Sequence, residues 1–164
     1  VNIKSQKENV DYKRMIEKGE CIACGDEVIA YDTVEDYILE TIGKEFGVEI
    51  VQLGYDRYNA ISTVQKLEAG GIECVEIKQH SSVLHMPTKL LKEEILSRRF
   101  QYEENRLLEI NFQNARCTED TNLNKYVNKK KSTGKVDEVV ALINAMYLLQ
   151  QELLNGGGFV VQTA

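Results

Sequence analysis

The sequence lacks a long apolar run, a secretion signal and a nucleotide-binding phosphate loop. No stretch reaches the roughly 18–20 apolar residues of a membrane-spanning helix, and Val1–Glu20 is polar, without the apolar centre of a signal peptide. Gly134-Lys135 is followed by Val136, so the phosphate-loop pattern GxxxxGKS or GxxxxGKT is absent. With 164 residues, the chain is predicted to be one intracellular domain, or a fragment cut from a longer protein.

A second pair of close metal ligands is also missing. Cys21 and Cys24 form a CxxC pattern, but a structural zinc site usually has a second such pair, and His80 and His85 do not have that spacing. A redox motif of the thioredoxin type would open a helix after a strand, whereas this one precedes the turn residues Gly25-Asp26. The pattern therefore favours ordinary cysteines in a strand.

Acidic residues are missing from one basic segment. The formal net charge is −6, which argues against nucleic-acid binding by the whole surface. Thr121–Val136 nevertheless carries no acid and five lysines, which are Lys125, Lys129, Lys130, Lys131 and Lys135. Such a segment is either a solvated loop or a local surface for phosphate groups, and the sequence leaves both open.

Three adjacent segments predict a βαβ unit. Val48–Tyr55 is an apolar strand, continuous enough to be buried on both faces. The helix that follows places Val64 and Leu67 inward and ends at Gly70-Gly71, and Ile72–Ile77 forms the next strand. Short connections of this kind make the two strands parallel.

Capping and turn residues predict the other elements. These are a helix over Asp11–Lys18, a hairpin within Glu20–Ala30, a helix from Asp32 to Gly47 with Glu35 completing a capping box, a helix from Pro87 to Arg99, a basic loop over Thr118–Gly134 and a buried helix over Val136–Leu149. Phe100–Asn114 is compatible with a hairpin or a helix. The elements predict an α/β domain over residues 1–150 and a flexible tail over residues 151–164.

Two acids stand where open α/β folds place their chemistry. Asp56 ends the apolar strand, and Asp137 lies behind Lys135 in the first turn of the last helix. The helix dipole favours the ionised form of Asp137. Two converging carboxylates suit Mg²⁺ or Mn²⁺, and two such ions can activate a water and stabilise the leaving oxygen of a phosphodiester. The alternative is that each acid only caps its own turn or helix.

A further set of motifs follows a fixed order along the chain. It consists of Asn9-Val10-Asp11-Tyr12, Gly19, GYDRYNA around Asp56, Gln79, Pro87-Thr88-Lys89, Asn114, Asp120-Thr121-Asn122-Leu123-Asn124, Lys130, and KVDEVVALINA around Asp137. This order, which covers roughly Asn9 to Gln150, resembles the nuclease part of tailed-phage terminase large subunits.

The resemblance implies an RNase H-like mixed sheet flanked by helices, and metal-dependent cleavage of concatemeric double-stranded DNA during genome packaging. Asp56 and Asp137 match catalytic, metal-binding acids of the family, and the cofactor would be Mg²⁺ or Mn²⁺, as a two-metal site in the intact domain. Residues expected near DNA are Arg57, Lys129, Lys130, Lys131 and Lys135. The implied partners of the intact protein are an ATPase domain, the terminase small subunit and the portal, in the host cytoplasm and without a membrane.

Two departures from the family's pattern qualify this expectation. The ATPase half is absent, and the family's first acid lies on a strand upstream of the point where this chain starts. Asp11 does not replace that acid, because it belongs to the helix-like segment before Gly19. We therefore expect a domain that lacks its first strand and one of three metal-binding acids, with reduced or absent activity. An exposed sheet edge would also favour self-association.

Two other classes of function stay open at this point. A non-catalytic DNA-binding or assembly module would use the lysines of Thr121–Val136 without cutting DNA. A receiver-like signalling domain would use Asp56 as a phosphoacceptor, but it would also need an acidic pair after its first strand and a lysine after its last. Plasmid cleavage with Mn²⁺ separates the nuclease from both alternatives.

Overall fold

The computed structural model describes residues 2–25, 28–57 and 60–156. The described elements are α1 (Asn2–Glu8), α2 (Tyr12–Glu17), α3 (Tyr31–Asp36), a π-helix (Tyr37–Glu45), β1 (Gln52–Tyr55), α4 (Ile61–Ala69), β2 (Glu73–Glu76), α5 (Ser81–Leu96), α6 (Arg106–Asn114), β3 (Cys117–Glu119), β4 (Lys125–Val127) and α7 (Asp137–Leu154). No helix among these elements is long and apolar enough to cross a membrane. Most of the predicted tail, from residue 157 onward, lies outside the described residues.

The predicted βαβ unit is confirmed. Strands β1 and β2 pair in parallel, from Gln52 opposite Glu73 to Tyr55 opposite Glu76, and α4 connects them. Val64 and Leu67 are buried on the inner face of α4. The first strand is shorter than predicted, however, because Val48–Val51 lies outside the pairing. The described residues add no third strand to this sheet, and association of its edge with another chain stays a prediction.

The core forms where α5 crosses α7 beside the end of β2. Ile77, Leu84, Leu91, Val139 and Ile143 form one buried cluster, and α7 also packs against α6 and β1. The apolar composition of α7 predicted a helix buried all round. Only one face of α7 is buried, and α5 and β1 cover that face. The end of the helix, at Leu153 and Leu154, is exposed.

A glycine sets the spacing between β1 and α7. A Cβ added at Gly54 would meet Ile77 Cδ1 at 2.5 Å and Leu148 Cδ1 at 3.3 Å. A side chain at this position would require Ile77 to shift and Leu148 of α7 to give by a few tenths of an ångström, so the glycine lets the strand lie close to α7 without such shifts. The residue two positions later is Asp56, and the close approach therefore places this acid beside the last helix.

The predicted capping box at Asp32 and Glu35 is wrong. Helix α3 begins at Tyr31, and its N-terminal cap has no side-chain hydrogen bond. Both acids instead contact Lys66 of α4, at 3.6 Å from Asp32 and 2.9 Å from the buried Glu35. The hydrogen bond from Lys66 holds the pKa of Glu35 below its usual value. The acids therefore join two helices, which a pattern within one helix does not reveal.

The helix predicted to start at Pro87 starts at Ser81. His80 caps it, since the Ser82 N–H donates to His80 Nδ1 at 3.3 Å. Pro87 lies inside α5, where it has no N–H to donate along the helix. The Pro87 side chain is fully buried, and Leu91, one turn later, is almost fully buried. Packing of this face against the core stabilises the helix across the proline.

The N-terminal third differs from the prediction, because it adds helix α1 and lacks the strands of the predicted hairpin among its described residues. The helix over Asp11–Lys18 is confirmed as α2, with Asp11 as its cap. The hairpin within Glu20–Ala30 has no strand in its described residues, and Asp26-Glu27 at its centre lies outside them. Cys21 and Cys24 are therefore not strand residues, and both are free thiols.

The ambiguous segment Phe100–Asn114 forms a helix in its second half. Helix α6 begins at Arg106, after Asn105, whose Oδ1 accepts a hydrogen bond from the Leu108 N–H at 3.0 Å. A side-chain cap of this kind satisfies a backbone donor that the first turn leaves open. The cap decides the segment in favour of a helix.

Replacing Leu67 with alanine tests the packing of α4. Leu67 is only 1% exposed, and we expect Leu67→Ala to lower the free energy of unfolding by about 2–5 kcal/mol because it leaves a cavity. Leu153→Ala on α7 is the matched control, since Leu153 is 62% exposed and should change stability by less than about 0.5 kcal/mol. Urea unfolding measures both, and equal effects would contradict this description of the core.

Candidate functional site

Asp56 lies at the carboxyl end of β1 and is exposed. The end of this strand is held to the end of β2, because the Ile77 N–H donates to the Tyr55 carbonyl at 2.8 Å. Asp56 therefore projects from the edge at which the two parallel strands finish. This is the position in open α/β folds where binding groups collect.

A cavity of about 470 Å³ opens beside Asp56. Its lining combines the strand ends, α5, β4, the turn after β4 and α7, through Asp56, Gln79, Leu84, Tyr126, Val127, Asn128, Lys129, Lys130, Val140 and Ile143. The lining thus combines one acid, two amide residues and two lysines with apolar residues. The sequence identified Asp56, Lys129 and Lys130 as site residues, and the structure brings these three together.

Asp137 is the first residue of α7 and is exposed beside this cavity rather than in its lining. Lys129 Nζ lies 3.0 Å from Asp137 Oδ1. Lys129 is thus a lining residue of the cavity that also contains Asp56, and its ammonium group pairs with Asp137. The sequence did not predict that contact, since Lys129 and Asp137 are separated by a turn whose course only the structure reveals.

The predicted basic loop Thr118–Gly134 is instead a β-hairpin followed by a tight turn. Strands β3 and β4 pair antiparallel, from Cys117 opposite Val127 to Glu119 opposite Lys125. After β4, Asn128 Oδ1 accepts hydrogen bonds from the N–H groups of Lys130 (3.0 Å) and Lys131 (3.3 Å). Three of the predicted DNA-contacting lysines, at positions 129–131, therefore sit on an ordered turn.

Asp120 fixes the hairpin to α5. Its carboxylate accepts hydrogen bonds from Ser81 Oγ at 2.6 Å, from Asn124 Nδ2 and the Asn124 N–H, both at 2.9 Å, and from the Asn122 N–H at 2.8 Å. These bonds, of which that from Ser81 has the largest effect, hold the pKa of Asp120 well below its usual value. Asp120 and Asn124 therefore order the segment between β3 and β4.

A second contact supports the same docking. The Lys125 N–H donates to His85 Nδ1 of α5 at 2.8 Å. His85 Nδ1 is the acceptor in this bond. Together with the Asp120 contacts, it holds β4 against α5 and so forms one wall of the cavity.

Lys135 and Arg57 lie apart from this cavity lining. Lys135 Nζ is 3.8 Å from Glu8 Oε1 and lines a separate cavity of about 290 Å³ between α1, α2 and α6. In that cavity Tyr12 donates a hydrogen bond to Glu8, and burial followed by this contact raises the pKa of Tyr12 above its usual value. Arg57 is exposed, next to Asp56.

Gln79 and Asn144 are site residues to which the sequence assigned no role of their own. Gln79 Nε2 donates to Asn144 Oδ1 at 3.2 Å, joining the segment after β2 to α7. The available signals were the place of Gln79 in the ordered motif set and the place of Asn144 on the same helical face as Asp137. Neither signal predicts that the two amides meet.

Comparison with known proteins assigns a family to this arrangement. Residues 2–152 match the family model of the terminase large subunit, endonuclease domain. The chain belongs to this family. None of the curated proteins compared with the chain matches it.

A solved structure has the same fold. The crystal structure of the HK97 bacteriophage large terminase matches with a TM-score of 0.80 and 20% sequence identity, over 90% of this chain and 30% of that one. The chain therefore spans less than a third of the length of the HK97 protein. The expected RNase H-like α/β fold class is confirmed, and the family is one of nucleases.

The donor groups of the cavity fit one hard cation better than two. Asp56 and the amide of Gln79 supply oxygen atoms of the kind that Mg²⁺ and Mn²⁺ bind. Among residues 2–25, 28–57 and 60–156, no three His, Cys, Asp or Glu side chains are grouped as metal ligands. Asp137 already contacts an ammonium group, so a cation that used it would compete with Lys129.

Replacing Asp120 with alanine tests the docking of the hairpin. We expect Asp120→Ala to lower the thermal midpoint by several degrees at pH 7. Because the pKa of Asp120 is lowered in the folded state, the carboxylate stabilises the protein above about pH 4, the ordinary Asp value, and this contribution is lost as the pH falls through the folded pKa. The difference between variant and wild type should therefore be constant from pH 7 to 5 and smaller below pH 4.

Thermal unfolding by circular dichroism at each pH makes this measurement. Glu103→Ala is the control, since Glu103 is an exposed acid between α5 and α6. A difference that grows as the pH falls would contradict the assigned role of Asp120.

Proposed function

We propose that this chain carries the Asp56 and Asp137 part of a metal-dependent endonuclease site that cleaves double-stranded DNA during phage genome packaging. The observation that supports it most is the position of Lys129, which lines the cavity with Asp56 and lies 3.0 Å from Asp137. Family membership gives the general reaction, hydrolysis by a nuclease. The two acids are the proposed metal ligands and catalytic residues.

The acids and lysines have complementary tasks in this proposal. Mg²⁺ or Mn²⁺, when bound, supplies Lewis acidity that activates water and neutralises charge at the scissile phosphate. Asp56 and Asp137, both exposed, would bind the ion through their carboxylates, and Asp137 would exchange Lys129 for the ion as this lysine turned toward a DNA phosphate. Lys129, Lys130 and Lys131 are held by an ordered turn and would bind the DNA backbone.

We also propose that this chain acts as the nuclease domain of a terminase large subunit. Its partners would be double-stranded DNA, an ATPase domain, the terminase small subunit and the portal, in the host cytoplasm. Arg57 and Lys135 would extend the DNA-binding surface on either side of the acids, although Lys135 contacts Glu8 here. The family match favours this function over a receiver-like domain, because it covers residues 2–152.

One observation favours a second candidate, DNA binding without cleavage by this chain. The described residues group fewer than three candidate metal ligands, and Lys129 neutralises one of the two proposed acids. In that case the cationic turn would bind DNA while the acids served only to order it. Variants of the acids and of the lysines separate the two candidates.

Neutralising the acids tests the nuclease. We expect Asp56→Asn and Asp137→Asn each to reduce Mn²⁺-dependent plasmid cleavage by about 100-fold or more, because each removes a direct metal ligand. The assay uses the chain and a version extended upstream, since the resemblance to the family implies a further metal-binding acid there. Glu104→Gln, a change at an exposed acid outside the helices, should leave cleavage unchanged.

Cleavage by both acid variants at the wild-type rate would overturn the site assignment. The second candidate would be favoured if Asp56→Asn and Asp137→Asn left the DNA affinity unchanged and the version extended upstream did not cut DNA.

Removing the lysines tests the DNA surface. We expect the combined substitution of Lys129, Lys130 and Lys131 with alanine to weaken DNA binding at all sequences alike. The slope of log affinity against log salt should become shallower by roughly 0.9 for each DNA phosphate that the protein no longer neutralises. Lys44→Ala is the control, since Lys44 pairs with Glu40 on the π-helix. Binding titrations between about 50 and about 200 mM salt measure the slope, and an unchanged slope in the triple variant would contradict the proposal.

A further inference from the structure

The amide of Gln79 has a fixed orientation. Its Nε2 donates to the backbone carbonyl of Ile77 at 3.0 Å and to Asn144 Oδ1 at 3.2 Å. A backbone carbonyl only accepts hydrogen bonds, so the nitrogen of the amide must face Ile77. Neither bond uses Gln79 Oε1, which therefore lies on the opposite branch of the amide. The same reasoning requires Asn144 to present its oxygen to Gln79.

This amide lies in the same cavity as Asp56. The two residues follow the ends of adjacent parallel strands, and both line the cavity. Gln79 is exposed, so Oε1 is accessible to a ligand that enters there. Asn144 is half-buried on α7, about two turns after Asp137. Its contact couples the orientation of Gln79 to the helix that begins with the second proposed acid.

We propose that Gln79 Oε1 is a neutral oxygen ligand of the divalent cation held by Asp56, and that Asn144 is the positioning residue that aims it. The inference rests on the proposed function, because it needs a cation beside Asp56. Amide oxygens are suitable ligands for hard divalent cations, and a neutral one adds a donor without adding charge. Gln79 thus supplies an oxygen to a site in which the described residues provide few carboxylates.

Binding of Mn²⁺ to the 164-residue chain tests this inference without relying on cleavage. Electron paramagnetic resonance of free Mn²⁺ gives the affinity for wild type and for the variants Asp56→Asn, Gln79→Met and Asn144→Leu. We expect Gln79→Met to weaken Mn²⁺ binding by about tenfold, and Asn144→Leu by about tenfold as well, the effect typical of losing a group that orients a ligand. Gln113→Met, at an exposed glutamine of α6, should bind as the wild type does.

A conservative variant distinguishes positioning from a structural role. Asn144→Asp keeps an oxygen that can accept the hydrogen bond from Gln79 Nε2, so it should retain at least wild-type affinity. A residue that mattered only for packing would lower the thermal midpoint in both Asn144 variants, without this difference in Mn²⁺ binding.

The outcomes separate this inference from the proposed function. Absence of Mn²⁺ binding, or binding that Asp56→Asn leaves unchanged, overturns both. If Asp56→Asn weakens binding and Gln79→Met does not, the nuclease site stands and the role of Gln79 is wrong. If Gln79→Met weakens binding while Asn144→Leu does not, or Asn144→Asp loses as much affinity as Asn144→Leu, the positioning role of Asn144 is overturned.

Discussion

The packing of α7 against α5 and β1 is the contact on which the rest of the structure depends. Val139 and Ile143 of α7 are almost fully buried in the cluster that includes Ile77 and Leu84. The missing side chain at Gly54 lets the strand join this cluster at short range. Because this core is densely packed, the end of β1 and the start of α7 are fixed relative to one another.

Two sets of polar contacts build the cavity on that core. Asp120 and His85 hold the hairpin against α5, and Gln79 ties the segment after β2 to Asn144 of α7. Each contact joins elements far apart in sequence. The ends of the parallel strands, the basic turn after β4 and α7 therefore all line the cavity beside Asp56. Lys129 of the turn also contacts Asp137 at the start of α7.

The charge distribution is compatible with the proposed DNA surface on an acidic protein. The lysines after β4 are ordered rather than scattered, because Asn128 holds the backbone of their turn. Lys129 and Lys130 line the same cavity as Asp56, so basic and acidic residues share one cavity. The proposed site would bind both a polyanion and a metal ion, and such a site needs both signs of charge at close range.

The sequence by itself determined the parallel βαβ unit, the inner face of α4, the family-like order of motifs and the special positions of Asp56 and Asp137. These depend on periodicity, on glycines that end helices and on residues near each other in the chain. Only the tertiary structure decided the tolerance of Pro87 inside α5, the partners of Asp32 and the hairpin that replaces the predicted loop. A proline is tolerated inside a helix when its face is buried, and an acid serves as a bridge when a lysine from another element lies opposite. The hydrogen bond from Ser81 to Asp120 likewise helps to order the segment between β3 and β4, which the local sequence predicts to be a loop. Such partners are brought together by packing of distant segments, and this is why no local pattern contains them.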